Sequence, residues 1–194
     1  SVLDVELYAG HMVRVERANA LPVIIIRDLR GGEEHAIAFD EAAYSLDTMG
    51  GYEFETTNLR FAYSSMTTPS EVYDYDMATR TRVLRKRQEI PSGHNPADYV
   101  TTRIMATSHD GAQVPVSILH RKDFVRDGKA PLLLYGYGSY GMAMPASFAA
   151  NRRSLVARGL GQANAPSRRG AGQGRGRNRP LQTSRPADAT AGGK

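Results

Sequence analysis

The chain contains no cysteine and no tryptophan in 194 residues. Without cysteine there can be no disulfide, no thiolate metal site and no cysteine nucleophile, and the chain suits a reducing compartment. The expected location is therefore cytoplasmic. No apolar run approaches the ~20 residues that a membrane-spanning helix needs. The N-terminus also lacks the basic-then-apolar pattern of a secretory signal, so no membrane partner is expected. Metal-ligand spacing is missing too. No two of His11, His35, His94, His109 and His120 stand four apart on a predicted helix, and none has a carboxylate in zinc-ligand spacing. These histidines read as loop or surface residues, and no metal or cofactor is expected. There is no initiator methionine. Strand-like pattern begins almost at Ser1-Val2-Leu3, which reads as part of something longer.

Charge is present but unevenly placed. The formal net charge is +5, yet the stretch from Gly161 to Lys194 holds seven basic residues and one acid, leaving a net −1 on the first 160 residues. The basic balance thus belongs to the tail and does not mark a nucleic-acid surface on the folded part. The tail has no aromatic residue and, alanine aside, only Leu181 as an apolar one. Such a segment cannot bury enough surface to offset its ordering entropy, so residues 161–194 are predicted to be disordered. Within it, Gly172-Gln173-Gly174-Arg175-Gly176-Arg177 is similar to an arginine–glycine RNA-binding segment. A strand-rich, non-enzymatic module that binds RNA through this tail is the alternative reading, although one short run makes nucleic acid the lesser expectation.

The first 90 residues read as antiparallel strands. Met12 to Arg17 and Leu59 to Ser64 alternate apolar and polar residues, the period-2 sign of half-buried strands. Leu21 to Leu29 is a β-branched run closed by the turn Arg30-Gly31-Gly32-Glu33, and Glu71 to Asp76 and Arg82 to Arg85 supply further strands. A shift of 48 residues lays Val13 and Val15 on Phe61 and Tyr63, Ile24 and Ile25 on Val72 and Tyr73, and Asp28 on Asp76. A repeat of ~40–50 residues built of short strands suits a β-propeller blade. Two hairpin regions aligned by chance would look the same. Asp74 and Asp76 share a strand face and read as solvated.

Ile90 to Tyr99 is rich in turn formers and reads as a linker. Beyond it, Val100 to Ala106 and Val114 to His120 form a predicted hairpin around His109-Asp110-Gly111. A buried strand, Leu132 to Tyr135, then runs into Gly136-Tyr137-Gly138-Ser139-Tyr140-Gly141, and Ala146 to Gly159 reads as a helix with Gly159 as its stop. Strand, glycine-rich loop and helix in that order open an α/β sheet.

Two residues of that loop invite chemistry. A serine nucleophile on a strand-to-helix turn needs G-x-S-x-G, and the position two before Ser139 is Tyr137, so Ser139 reads as a loop serine bonded to local backbone. Tyr137 is the better candidate. The loop after the third strand of an α/β-hydrolase sheet supplies one oxyanion-hole donor, and a phenolic hydroxyl can donate. The competing reading is that Tyr135, Tyr137 and Tyr140 pack at the sheet edge.

From about Leu3 to Leu160, roughly four-fifths of the sequence, the chain resembles the prolyl oligopeptidase family of serine peptidases and, within it, the oligopeptidase B branch. The matching stretches are Leu21 to Leu29, Arg60 to Met77, Arg85 to Tyr99, Asp110 to Ser117 and, most specific, Leu132 to Gly141. The resemblance implies a seven-bladed β-propeller followed by an α/β-hydrolase domain. Residues 1–92 would be the end of the propeller, 93–160 the start of the catalytic domain, and 161–194 the tail. It also implies that Tyr137 donates to the oxyanion hole, that the intact relative takes short peptides, and that oligopeptidase B-like members cut after Lys or Arg. The family continues past Arg158-Gly159-Leu160 with an apolar strand and later the serine, acid and histidine. None of these follows here, so the chain as given is expected to be inactive, its end frameshifted or chimeric. Nothing in the sequence sets an oligomeric state.

Overall fold

A computed structural model describes residues 1–125, 127–137 and 144–166. Among these described residues, twelve strands form three four-stranded sheets. Strands β1 (Val2–Leu7), β2 (His11–Ala18), β3 (Leu21–Asp28) and β4 (Glu34–Ala36) pair in chain order as an antiparallel meander. Strands β5 (Tyr44–Thr48), β6 (Asn58–Ser65), β7 (Glu71–Asp76) and β8 (Thr81–Arg87) repeat that plan. The alternation that marks β2 and β6 in the sequence and the β-branched run of β3 become, with β7, one shared core. Val13, Val15, Ile24 and Ile26 of the first sheet meet Leu59, Phe61, Tyr75 and Met77 of the second, all buried. Phe39 stacks on Tyr63 with 4.9 Å between centroids and a 9° interplanar angle.

The 48-residue repeat holds for the second strand of each sheet and slips by one in the third. Val15 pairs with Ile24, but Tyr63 pairs with Glu71, where a uniform shift would oppose Tyr63 to Val72. The connections differ: β2 turns into β3 through Asn19 and Ala20, both at positive φ as a tight hairpin requires, whereas residues 66–70 join β6 to β7. A one-residue slip exchanges the faces of a strand. Tyr73 and Tyr75 therefore turn to the shared core and Asp74 turns away from it. Asp74 is nonetheless not solvated as expected. Arg60 and Arg85 fold over it at 2.6 and 2.8 Å, leaving it 7% exposed. These hydrogen bonds, that of Arg60 foremost, hold its carboxyl down at about 2. Asp76, also expected in solvent, anchors its own turn, accepting from the amides of Ala78 and Thr79 and from the Thr57 hydroxyl.

β8 is exposed along its whole length and carries Arg82, Arg85, Lys86 and Arg87. Charge on an outer strand discourages edge-to-edge pairing. The linker follows. Gly93 takes positive φ, Asn95 caps a 3₁₀ turn at Pro96–Asp98, and β9 (Tyr99–Thr107) begins.

The third sheet is mixed. β9 and β10 (Gln113–Arg121) form the predicted hairpin. β11 (Leu132–Tyr137) leads to α1 (Ala150–Ala157), and the chain returns as β12 (Gly161–Pro166). β12 lies parallel to β11 and antiparallel to β10, giving the order β11-β12-β10-β9. Two expectations change here. The helix starts at Ala150, four residues later than read, because residues 144–149 are not helical and are tied to the second sheet, with the Phe148 amide donating to Ser64 Oγ at 2.9 Å. The stretch 161–166, read as the start of a disordered tail, is a central strand. Its polar residues are accommodated in pairs: Gln162 Nε2 donates to Asn164 Oδ1 at 2.9 Å, and Asn164 Nδ2 to the Pro145 carbonyl at 3.4 Å. Both side chains are buried, and backbone pairing on both sides supplies what composition did not advertise. Residues 167–194, the arginine–glycine run among them, lie outside the described residues.

Gly159 stops the helix as expected. It sits at φ +95°, its amide bonds the Val156 carbonyl at 3.0 Å, and Leu160 bonds the Leu155 carbonyl at 3.3 Å. This is the paired closure of a Schellman motif.

Candidate functional site

The end of β11 is where the sequence places its chemistry. Register puts Leu133, Tyr135 and Tyr137 on one sheet face beside Gln162 and Asn164 of β12. α1 covers that face: Val156 packs with Leu119, and the Arg152 guanidinium lies 4.9 Å from the Tyr135 ring centroid. Tyr135 is thus engaged by the helix, while Tyr137, last in the strand and 44% exposed, stands at the open end. The edge-packing alternative fits Tyr135 better than Tyr137. Ser139 and Tyr140 lie outside the described residues.

The neighbouring arginine binds this layer to the linker. Arg153 donates to the Gly93 carbonyl at 3.2 Å and to the Tyr99 hydroxyl at 3.4 Å. Arg152 Nη1 and Arg153 Nε are enclosed without hydrogen-bond partners, a charge-bearing lining unusual under a helix of one or two turns. A small apolar cluster of Ala43, Met66, Leu119, Ala146 and Val156, with Leu21 and Tyr99 against it, joins the mixed sheet to the first two sheets.

Most histidines are not the surface residues expected. His120 is buried beside Phe124, its Nδ1 at 2.7 Å from the Arg121 carbonyl and its Nε2 without a partner. His94 is partly buried between the rings of Tyr99 and Phe148, with Nε2 against the Thr67 carbonyl. His35 Nε2 meets the Tyr75 hydroxyl at 3.0 Å across the two antiparallel sheets, and burial lowers its pKa. His11 is partly buried on β2, and only His109 is exposed, at the hairpin tip. Period-2 alternation places His11 and His120 on strands, a signal that spacing for metals ignores. Among the described residues no three His, Asp or Glu side chains approach closely enough to hold a metal ion. No described helix is long and apolar enough to cross a membrane.

Two face-packed, four-stranded antiparallel meanders repeating in sequence define the class: consecutive blades of a β-propeller. Residues 1–88 match the family model of the prolyl oligopeptidase N-terminal β-propeller domain. Dipeptidyl aminopeptidase BI of Pseudoxanthomonas mexicana is 42% identical over 171 residues, 88% of this chain and 23% of that protein. Protease 2 of Moraxella lacunata is 27% identical over 160 residues, 82% of this chain and 23% of that protein. Oligopeptidase B from Trypanosoma brucei, solved in a closed form with covalently bound antipain, superposes with a TM-score of 0.79 at 28% identity, covering 86% of this chain and 24% of that one. The chain belongs to the prolyl oligopeptidase family. It spans about a quarter of the length of the relatives it matches.

Proposed function

We propose that this chain is a segment of a serine-type oligopeptidase, with residues 1–92 ending its propeller and the mixed sheet from residue 93 opening an α/β-hydrolase domain. The observation that carries this is the β11–α1–β12 unit. Its two strands are parallel and adjacent, a helix links them, and Tyr137 stands at the C-terminal end of β11, where open α/β sheets place their sites. The protease and peptidase names of the relatives support peptides as the substrate class. Cleavage after Lys or Arg follows from the oligopeptidase B likeness alone.

In this reading Tyr137 donates its hydroxyl to the oxygen that becomes negative when a peptide carbonyl is attacked. A preorganised donor there lowers the barrier by ~3–4 kcal/mol. The 194 residues contain no G-x-S-x-G, so the nucleophile, and with it the second donor beside it, is not carried here. An oxyanion donor without nucleophile and base gives at most weak rate enhancement. The chain should therefore not hydrolyse an arginyl amide. Turnover by the purified chain, abolished by Tyr137→Phe, would contradict this. In a longer form that carries the nucleophile, Tyr137→Phe should lower kcat by about 100-fold or more with KM little changed. An unchanged kcat would remove Tyr137 from the mechanism.

A further inference from the structure

A cleft of about 840 Å³ opens where the β4–β5 connection, the β6–β7 pair and the linker meet. Its walls are acidic. Asp40, Glu41, Glu71 and Glu89 face Arg82 and Arg87, a formal −2 in a chain whose total is +5.

Glu41 is the distinctive member. Its carboxylate accepts from the hydroxyls of Tyr63, of Ser65 at 2.7 Å and of Thr67 at 2.5 Å. These donors fix its orientation but bring no positive charge, and no cation pairs with it among the described residues. Glu71, which stands opposite Tyr63 across the strands, is buried and accepts from the Tyr73 hydroxyl at 2.5 Å and from Arg87 Nε at 2.6 Å. Each carboxylate thus holds its own phenol, Glu41 that of Tyr63 and Glu71 that of Tyr73, and only Glu71 also has a guanidinium partner, Arg87. Burial first, and Glu71 second, push the Tyr73 phenol up to about 12, so it stays a neutral donor.

The remaining wall is aromatic. Phe39 and Tyr63 are stacked, and the Arg82 guanidinium lies 5.3 Å from the Phe39 centroid and 5.1 Å from that of Tyr73. Arg82 donates to the Ala38 carbonyl at 3.5 Å and pairs with none of the four carboxylates. The chain therefore already lays a guanidinium on these rings while leaving Glu41 without a counter-charge.

We propose that this cleft binds an organic cation, the guanidinium or alkylammonium side chain of a peptide, with Glu41 as counter-charge and Phe39, Tyr63 and Tyr73 as its walls. Ring faces attract such cations through their quadrupole, and a fixed carboxylate supplies a charge-assisted hydrogen bond. The net negative lining disfavours anions. Because Ile90, Pro91 and His94 complete the cleft, a bound side chain touches blade and linker together. This site lies apart from Tyr137 and needs no peptidase activity.

The test is titration of the full chain with acetyl-arginine amide and with acetyl-citrulline amide, its neutral isostere, followed by NMR. Arginine should bind about tenfold more tightly than citrulline, and added salt should weaken it. Glu41→Gln should remove most of that preference. Arg82→Gln should strengthen arginine binding about threefold by clearing the ring faces. Equal binding of the two amides, or an unchanged preference in folded Glu41→Gln, would overturn the proposal. Should Glu41→Gln fail to fold, Arg82→Gln decides: unchanged or weaker arginine binding overturns it.

Discussion

The two blades and the mixed sheet are built from similar strands and are finished differently. The blades bury a face each against the other, around Phe61, Ile24 and Ile26, none of which is exposed. Among the described residues, the mixed sheet is covered on one face by α1 and by a small cluster that reaches the blades through Ala43, Met66 and Ala146. On the other, Ile104, Leu132 and Leu134 are about half exposed. The difference teaches that local sequence pattern can specify strands well even where, among the described residues, one of their faces meets no second layer. A β-strand needs its pairing partners to form and a second layer to be stable.

Substitutions should expose that contrast, most strongly in the blades. Phe61→Ala removes a fully buried ring from the shared core and should lower unfolding stability by about 3–5 kcal/mol, read from urea unfolding. A loss under 1 kcal/mol would mean that the blades are not held by this core. Asp74→Asn removes the charge shared by Arg60 and Arg85. Its folded pKa of about 2 lies below the ordinary 3.8, so the pair stabilises above about pH 4 and that contribution is lost as pH falls toward 2. Both arginines are half exposed, so screening should limit the effect to about 1–2 kcal/mol. The variant should flatten the acid limb of the stability–pH profile, and an unaltered limb would contradict the assignment.

Smaller effects belong to the mixed layer. Gly159→Ala places a Cβ at φ +95° with no atom within 4 Å, so backbone strain alone acts and the cost should be about 1 kcal/mol. A neutral result would mean that the helix end is not held in this closure. Leu134→Ala trims an exposed side chain and should change stability by less than about 0.5 kcal/mol. A large loss there would show a covered face and erase the contrast with Phe61.

How much of this was legible in the sequence follows from the same physics. Alternation revealed β2 and β6 because each buries one face, and a β-branched run revealed β3. β4, three residues long, left too little pattern, and β5 carried Tyr44 and Leu46 two apart, a signal available but short. β12 could not be read at all. Gln162 and Asn164 look like loop residues until the crossover places them between two strands. The repeat length was right, yet a difference in one connection turned Asp74 from an expected solvated residue into a paired one. Around the proposed site, Tyr137 is a candidate legible from its glycine-flanked position, whereas Arg152 and Arg153 became visible only when α1 folded onto the sheet and the linker.

The contrast between a closed core and a half-covered layer is measured most directly by native-state hydrogen exchange of backbone amides. Amides of β2, β3, β6 and β7 should exchange only through global unfolding, and those of β11 and β12 through a smaller opening with measurably lower free energy. Equal protection of β11–β12 and the blade strands would contradict the account.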